Sequence, residues 1–120
     1  MTVMKMTVIG TGYLGATHAA CMAELGHDVL GVDVDPAKIE ALSAGRVPFF
    51  EPGLPEVLER TMAAGRLRFT TDYAEAAEHA TVHFLAVGTP QQRGSYAADL
   101  TYVHAVLDGL VPRLEGRHLV

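Results

Sequence analysis

Short runs of β-branched and aliphatic residues alternate along the chain with stretches whose apolar positions recur every three or four residues. Continuous apolar runs of this length read as strands covered on both faces, and the stretches between them as helices that do the covering. A first strand is predicted over 5–9, followed by a helix over 12–25 that stops at Gly26, and a second strand over 28–34. Pro36 suits a first helical turn and opens a short helix to about Ser43, closed near Gly45. Residues 46–55 read as an irregular connection. A helix over 55–64 ends at Gly65, and a third strand covers 66–70. Thr71 or Asp72 caps a brief helix over 73–78. The run over 81–87 is nearly all apolar and is expected to be a central strand. After a loop over 88–98, Asp99 caps a helix reaching about Leu114, with its last turn weakened by Pro112. Residues 117–120 begin a fifth strand. Strand–helix alternation predicts an α/β fold, a doubly wound parallel sheet, as a single domain over 1–120.

Composition adds bounds. At 120 residues, with 49% hydrophobic and 19% charged, the chain suits one globular domain. No apolar stretch approaches the roughly 18 residues of a membrane span, so no membrane partner is expected. The opening segment runs straight into a glycine motif and reads as a strand, not a signal peptide. One cysteine leaves no internal disulfide, which fits a cytoplasmic protein. A net charge of −5, without a Lys/Arg cluster, argues against a nucleic-acid partner.

The first strand ends in Gly10-Thr11-Gly12-Tyr13-Leu14-Gly15. In this G-x-G-x-x-G pattern Gly10 permits a tight turn, Gly12 lets the backbone approach a pyrophosphate, and Gly15 lets the helix lie against the sheet. The new helix points its free N–H groups and positive dipole end at the phosphates. Alone the pattern is weak. Here a strand precedes it, a helix follows, and Asp33 stands at the end of the second strand, 18 positions past Gly15. That carboxylate is placed to accept from both hydroxyls of an adenosine ribose. A 2′-phosphate would meet a like charge there, and Val34 offers no cation, so NAD is favoured over NADP. The expected architecture is therefore of Rossmann type.

Other candidates are less decided by the residues alone. Lys38, one turn past Pro36, is in reach of the ribose or a phosphate; a solvated helix lysine accounts for it equally well. Val87-Gly88-Thr89-Pro90 ends the fourth apolar run, where doubly wound sheets bind ligands. Val87 and Thr89 are cofactor candidates there, and a plain turn is the alternative. The stretch 48–54 (Pro-Phe-Phe-Glu-Pro-Gly-Leu) is too apolar for an ordinary surface loop, so its aromatics and Leu54 should pack on the sheet edge or on a second domain. Cys21 reads as a small buried hydrophobe of the first helix, not a nucleophile. The six histidines show no metal-ligand spacing, and no metal site is expected; His27 reads as turn surface and His83 as a satisfied core imidazole.

Taken in order, Gly10 to Gly15, Gly26-His27-Asp28-Val29, Val32-Asp33-Val34-Asp35 with Lys38, Glu51-Pro52-Gly53-Leu54 and Val87-Gly88-Thr89-Pro90 resemble the N-terminal domain of the UDP-glucose/GDP-mannose dehydrogenases, over essentially the whole chain. The Glu-Pro-Gly-Leu loop and the Val-x-Thr-Pro strand end are its specific marks. The resemblance implies an NAD-dependent four-electron oxidation of the C6 alcohol of a nucleotide sugar, through a thiohemiacetal and thioester on a cysteine. It places the enzyme in nucleotide-sugar metabolism and polysaccharide biosynthesis, and implies homo-oligomers for full-length members. By the same resemblance the cofactor-contacting positions are Gly10, Thr11, Gly12, Tyr13, Leu14, Gly15, Asp33, Lys38 and Thr89, beside the candidate Val87. Tyr13 would lie over the cofactor, and the Glu-Pro-Gly-Leu loop towards the active site.

The family's nucleophilic cysteine, catalytic lysine and sugar-nucleotide pocket lie beyond this stretch, and Cys21 does not match the nucleophile. No catalytic residue is therefore expected in the chain, which reads as a truncated piece of a longer dehydrogenase of the UDP-glucose 6-dehydrogenase type, binding NAD without turnover. Alternatives are a free-standing NAD-sensing module, a GDP-mannose dehydrogenase, or a 3-hydroxyacid dehydrogenase relative.

Overall fold

The computed structural model describes residues 2–47 and 49–120. Strands β1 (Lys5–Ile9), β2 (Asp28–Val32), β3 (Leu67–Thr70) and β4 (His83–Leu85) form one parallel sheet in the order β3-β2-β1-β4. The chain starts mid-sheet, builds outward through β2 and β3, then returns to pair β4 with β1. That reversal is the switch point of a doubly wound sheet. In register, Ile9 stands beside Val32 on one side and Leu85 on the other.

Helices α1 (Tyr13–Glu24), α2 (Pro36–Ser43), α3 (Leu54–Ala63), α4 (Tyr73–His79) and α5 (Thr101–Leu110) complete the layers. One core joins Met6, Val8 and Val29 to the alanine face of α1 and to Leu54 and Leu58 of α3. The opposite core joins Ile9, Leu30 and Val32 to Ala76 of α4 and to Val106 and Leu110 of α5. Successive strand residues thus feed opposite layers, as strand alternation requires.

Local chemistry explains the boundaries. Asp35 and Asp72 cap α2 and α4 by accepting the N–H of Ala37 and Ala74 at 2.9 and 2.8 Å. Before α3 the chain turns through Gly53 at φ +84°, a left-handed conformation that disfavours any side chain. The Pro-Gly of the 51–54 motif is thus a helix entry, and it delivers Leu54 into the core. Phe49 half-packs there, whereas Phe50 stays 88% exposed. Pro48 lies outside the described residues. Pro112 turns the end of α5 into a 3₁₀ segment over Val111–Arg113.

Three expectations change. The fourth strand is not central: β4 is the last of the four strands, and among the described residues only a parallel bridge between Val82 and Leu119 lies beyond it. The cover of β4 is partial, with His83 buried, Leu85 half-buried and Phe84 39% exposed, and an apolar run says nothing about the number of strand neighbours. The expected fifth strand is reduced to that bridge, with Leu119 N–H donating to Thr81 O at 2.8 Å and Leu119 O accepting from His83 N–H at 2.9 Å. Cys21 is exposed. Ala16, Ala19, Ala20 and Ala23 form the buried face of α1, and Cys21 lies about 100° around the helix from Ala20.

Candidate cofactor site

The site grows from the β1–α1 junction. Gly10 turns the chain at φ +101°, and a Cβ there would stand 2.7 Å from the carbonyl oxygen of Ala86. Gly15 brings α1 down on that turn. Gly12 differs from both: nothing lies within 4 Å of where its Cβ would be. The backbone of α1's first turn therefore faces open space. Unlike α2 and α4, α1 has no side-chain cap, so its first N–H groups are left for an outside acceptor.

A cleft of about 380 Å³ lies over this junction, lined by Gly10, Thr11, Gly12, Asp33, Lys38 and Val87 among others. Asp33 is held tightly. Its Oδ2 accepts from the N–H and hydroxyl of Thr11 at 2.8 and 2.9 Å, and its Oδ1 from the N–H of Asp35 at 3.0 Å. Burial pushes the carboxyl up. The Thr11 amide, the Asp35 amide, the Thr11 hydroxyl and the charge of Lys38 together outweigh burial and hold it below the ordinary carboxylate value. The group is an anion at neutral pH, beside an uncapped helix terminus.

Not every candidate side chain reaches the cleft. Thr11 is wholly buried, and its hydroxyl is turned to Asp33, leaving only its backbone on the cleft side. Tyr13 is directed elsewhere: its hydroxyl donates to Glu51 and its ring meets Phe49 at a centroid distance of 5.0 Å. The bond to Glu51 raises the phenol's pKa. The contact also ties the Glu-Pro-Gly-Leu loop to the glycine loop. Leu14 is 69% exposed and, like Thr89, lies outside the cleft lining.

Four lining residues carried no recognised signal: Tyr73, Tyr102, Ala105 and Val106. They stand on α4 and α5; α4 packs over β1 and β2 and α5 lies against α4, which is a tertiary fact. Tyr73 rests on Gly109, where a Cβ would come within 3.1 Å of the ring. Burial, with the charge of Asp33, raises its phenol pKa. Asp99 does not cap α5 as expected: the N-cap position is Leu100, without a side-chain cap, and the Asp99 carboxylate, one residue earlier, accepts from Thr101 N–H at 2.9 Å.

The sequence model of the UDP-glucose/GDP-mannose dehydrogenase family, NAD binding domain, matches residues 4–120. The chain belongs to that family. It is 47% identical over 113 residues to a UDP-glucose 6-dehydrogenase of Rhizobium meliloti, covering 94% of this chain and 26% of the relative. It is 41% identical over 103 residues to a GDP-mannose 6-dehydrogenase of Pseudomonas syringae, covering 86% of this chain and 23% of the relative. Among solved structures, a UDP-glucose dehydrogenase from Pyrobaculum islandicum superposes with a TM-score of 0.85 at 42% identity, over 91% of this chain and 25% of that one.

The chain thus corresponds to the NAD-binding domain of this dehydrogenase family and spans about a quarter of the length of these relatives. The residues fit that cofactor, because Gly12, open at the uncapped start of α1, and the ionised Asp33 line one cleft. No described helix is long and apolar enough to cross a membrane.

Proposed function

We propose that residues 1–120 are the NAD-holding domain of a nucleotide-sugar 6-dehydrogenase of the UDP-glucose type. One observation carries the reading: the uncapped start of α1, open at Gly12, shares a cleft with the anionic Asp33. Amide N–H groups of the Gly10–Gly15 loop hold the pyrophosphate, and Asp33 holds the adenosine ribose. Lys38 lines the same cleft and supplies a cation near that ribose. Val87 and Gly88 bring the end of the fourth strand against the cofactor, with Thr89 beyond them. Bound NAD supplies a hydride acceptor. The chain's own work is to grip and orient it.

The preference for UDP-glucose over GDP-mannose rests on the higher identity to the Rhizobium relative. Oxidation of the C6 alcohol and the choice of sugar belong to residues outside this chain, so the polypeptide binds NAD without turning over substrate. Side-by-side calorimetric titration with NAD and NADP tests the reading. Saturable NAD binding with NADP at least tenfold weaker supports it, and no heat at millimolar NAD overturns it. Adding UDP-glucose and NAD together should give no NADH absorbance, and turnover would overturn the division of labour.

A further inference from the structure

We propose that Thr11 is a positioning residue for the ribose-gripping carboxylate: its hydroxyl fills the second acceptor position on Asp33 Oδ2, fixes the carboxylate plane, and leaves Oδ1 to take one ribose hydroxyl. The inference rests on the NAD reading above and sharpens it.

A carboxylate offers about four lone-pair directions, two on each oxygen. Oδ2 has both occupied, by the amide and the hydroxyl of Thr11 at 2.8 and 2.9 Å. Oδ1 has one occupied, by the Asp35 amide at 3.0 Å. One in-plane direction remains for a ligand. Asp33 therefore does not grip both ribose hydroxyls equally, as the sequence suggested. It takes one strongly, and the second hydroxyl must find another partner in the cleft.

Thr11 is suited to this task. It is wholly buried, so its hydroxyl proton has no competing solvent acceptor. It sits between Gly10 and Gly12, so the group that orients the acid belongs to the same turn that presents amides to the pyrophosphate. The phosphate cradle and the ribose acid, 22 positions apart, behave as one rigid unit. A threonine at this place in a phosphate loop would ordinarily be read as a phosphate contact; here its hydroxyl points the other way.

The test uses the parent chain, Thr11→Val, which keeps the shape and removes the donor, and Thr11→Ser, which restores it. Thermal melts confirm folding. Carbon-detected NMR titration of the Asp33 carboxyl, without ligand, should move to higher pH in Thr11→Val and return in Thr11→Ser. The affinity for NAD should fall about five- to tenfold in Thr11→Val, the scale of one ordinary net hydrogen bond, and recover in Thr11→Ser. In the parent, 2′-deoxy and 3′-deoxy analogues of the adenosine ribose should lose affinity unequally, and the inequality should shrink in Thr11→Val.

An unmoved Asp33 titration, or equal losses for the two deoxy analogues in the parent, would overturn the proposal. The analogue comparison needs no variant, so it stands if Thr11→Val does not fold. A parent indifferent to NAD would sink the cofactor reading and the ribose half of the proposal with it. The carboxyl titration would still decide whether Thr11 holds Asp33.

Discussion

The Cβ that Gly15 lacks would stand 1.7 Å from the carbonyl oxygen of Gly10. No rotamer change relieves such a contact, because both partners are backbone. Gly15→Ala must lift α1 from the sheet, and with it the alanine face that fills one core. The expected loss is about 3 kcal/mol or more, the upper end of overpacking costs, read as a lowered urea midpoint.

Gly12 gives the opposite result. Its Cβ position is open and its backbone is extended at φ −70° and ψ −162°. Gly12→Val should therefore melt within about 1 kcal/mol of the parent, in the range of most surface changes. Its side chain would stand where the pyrophosphate approaches, so NAD binding should weaken more than tenfold. A Gly12→Val protein that titrates like the parent would exclude this cradle.

Asp33→Ala removes the ribose acceptor and also strips the buried Thr11 hydroxyl of its partner. Two effects are expected together: an NAD affinity reduced about tenfold to a hundredfold, and a stability loss of about 1–3 kcal/mol from the orphaned donor. Calorimetry measures the first and urea unfolding the second. Unchanged affinity would remove Asp33 from the site.

His83 should make stability depend on pH. Its Nδ1 lies 2.7 Å from the Thr7 hydroxyl and its Nε2 2.9 Å from Nδ1 of His118, whose Nε2 lies 3.0 Å from the Glu115 carbonyl. The carbonyl can only accept, so in the neutral pair His118 donates from Nε2, His83 donates to His118, and Thr7 donates to His83. Burial first, then the His118 and His79 charges, lower the His83 pKa. Below the ordinary imidazole value of about 6.5, the unfolded chain binds a proton that the folded chain resists. This contribution is intact above that pH and is lost progressively as pH falls towards the lowered folded value. Urea midpoints should drop between pH 7.5 and 5.5, and His83→Gln should flatten the slope.

Cys21 faces solvent on α1. Cys21→Ser should change stability by less than about 0.5 kcal/mol and leave NAD binding intact. In the folded chain the thiol should react with a disulfide reagent as fast as after unfolding. Protection in the fold would contradict the exposed placement.

Much of the fold was legible in the order of residues. The first four strands, the five helices and most of their ends followed from apolar runs, Asp caps and Gly or Pro punctuation, because these act within a few positions. The misread strand and cysteine features were tertiary. Counting apolar residues around 81–87 could not say how many neighbours β4 has. Reading 19–22 as one apolar block hid that a helix turns Cys21 away from Ala20. In the site, the glycines and Asp33 were visible because their spacing is local to one β–α unit and the strand after it. Tyr73 and Tyr102 were not, since nothing near them in sequence indicates which cleft they line.

By itself the sequence determined the alternation of strand and helix, the glycine turn and the acid after it, because backbone sterics and side-chain periodicity operate over a few residues. Tertiary structure alone decided that Thr11 spends its hydroxyl on Asp33, that Tyr13 turns to Glu51, and that Thr7 meets His83 from 76 positions away. Those meetings depend on which strands pair in parallel and which helices cover them, and pairing order is a property of the whole packed sheet.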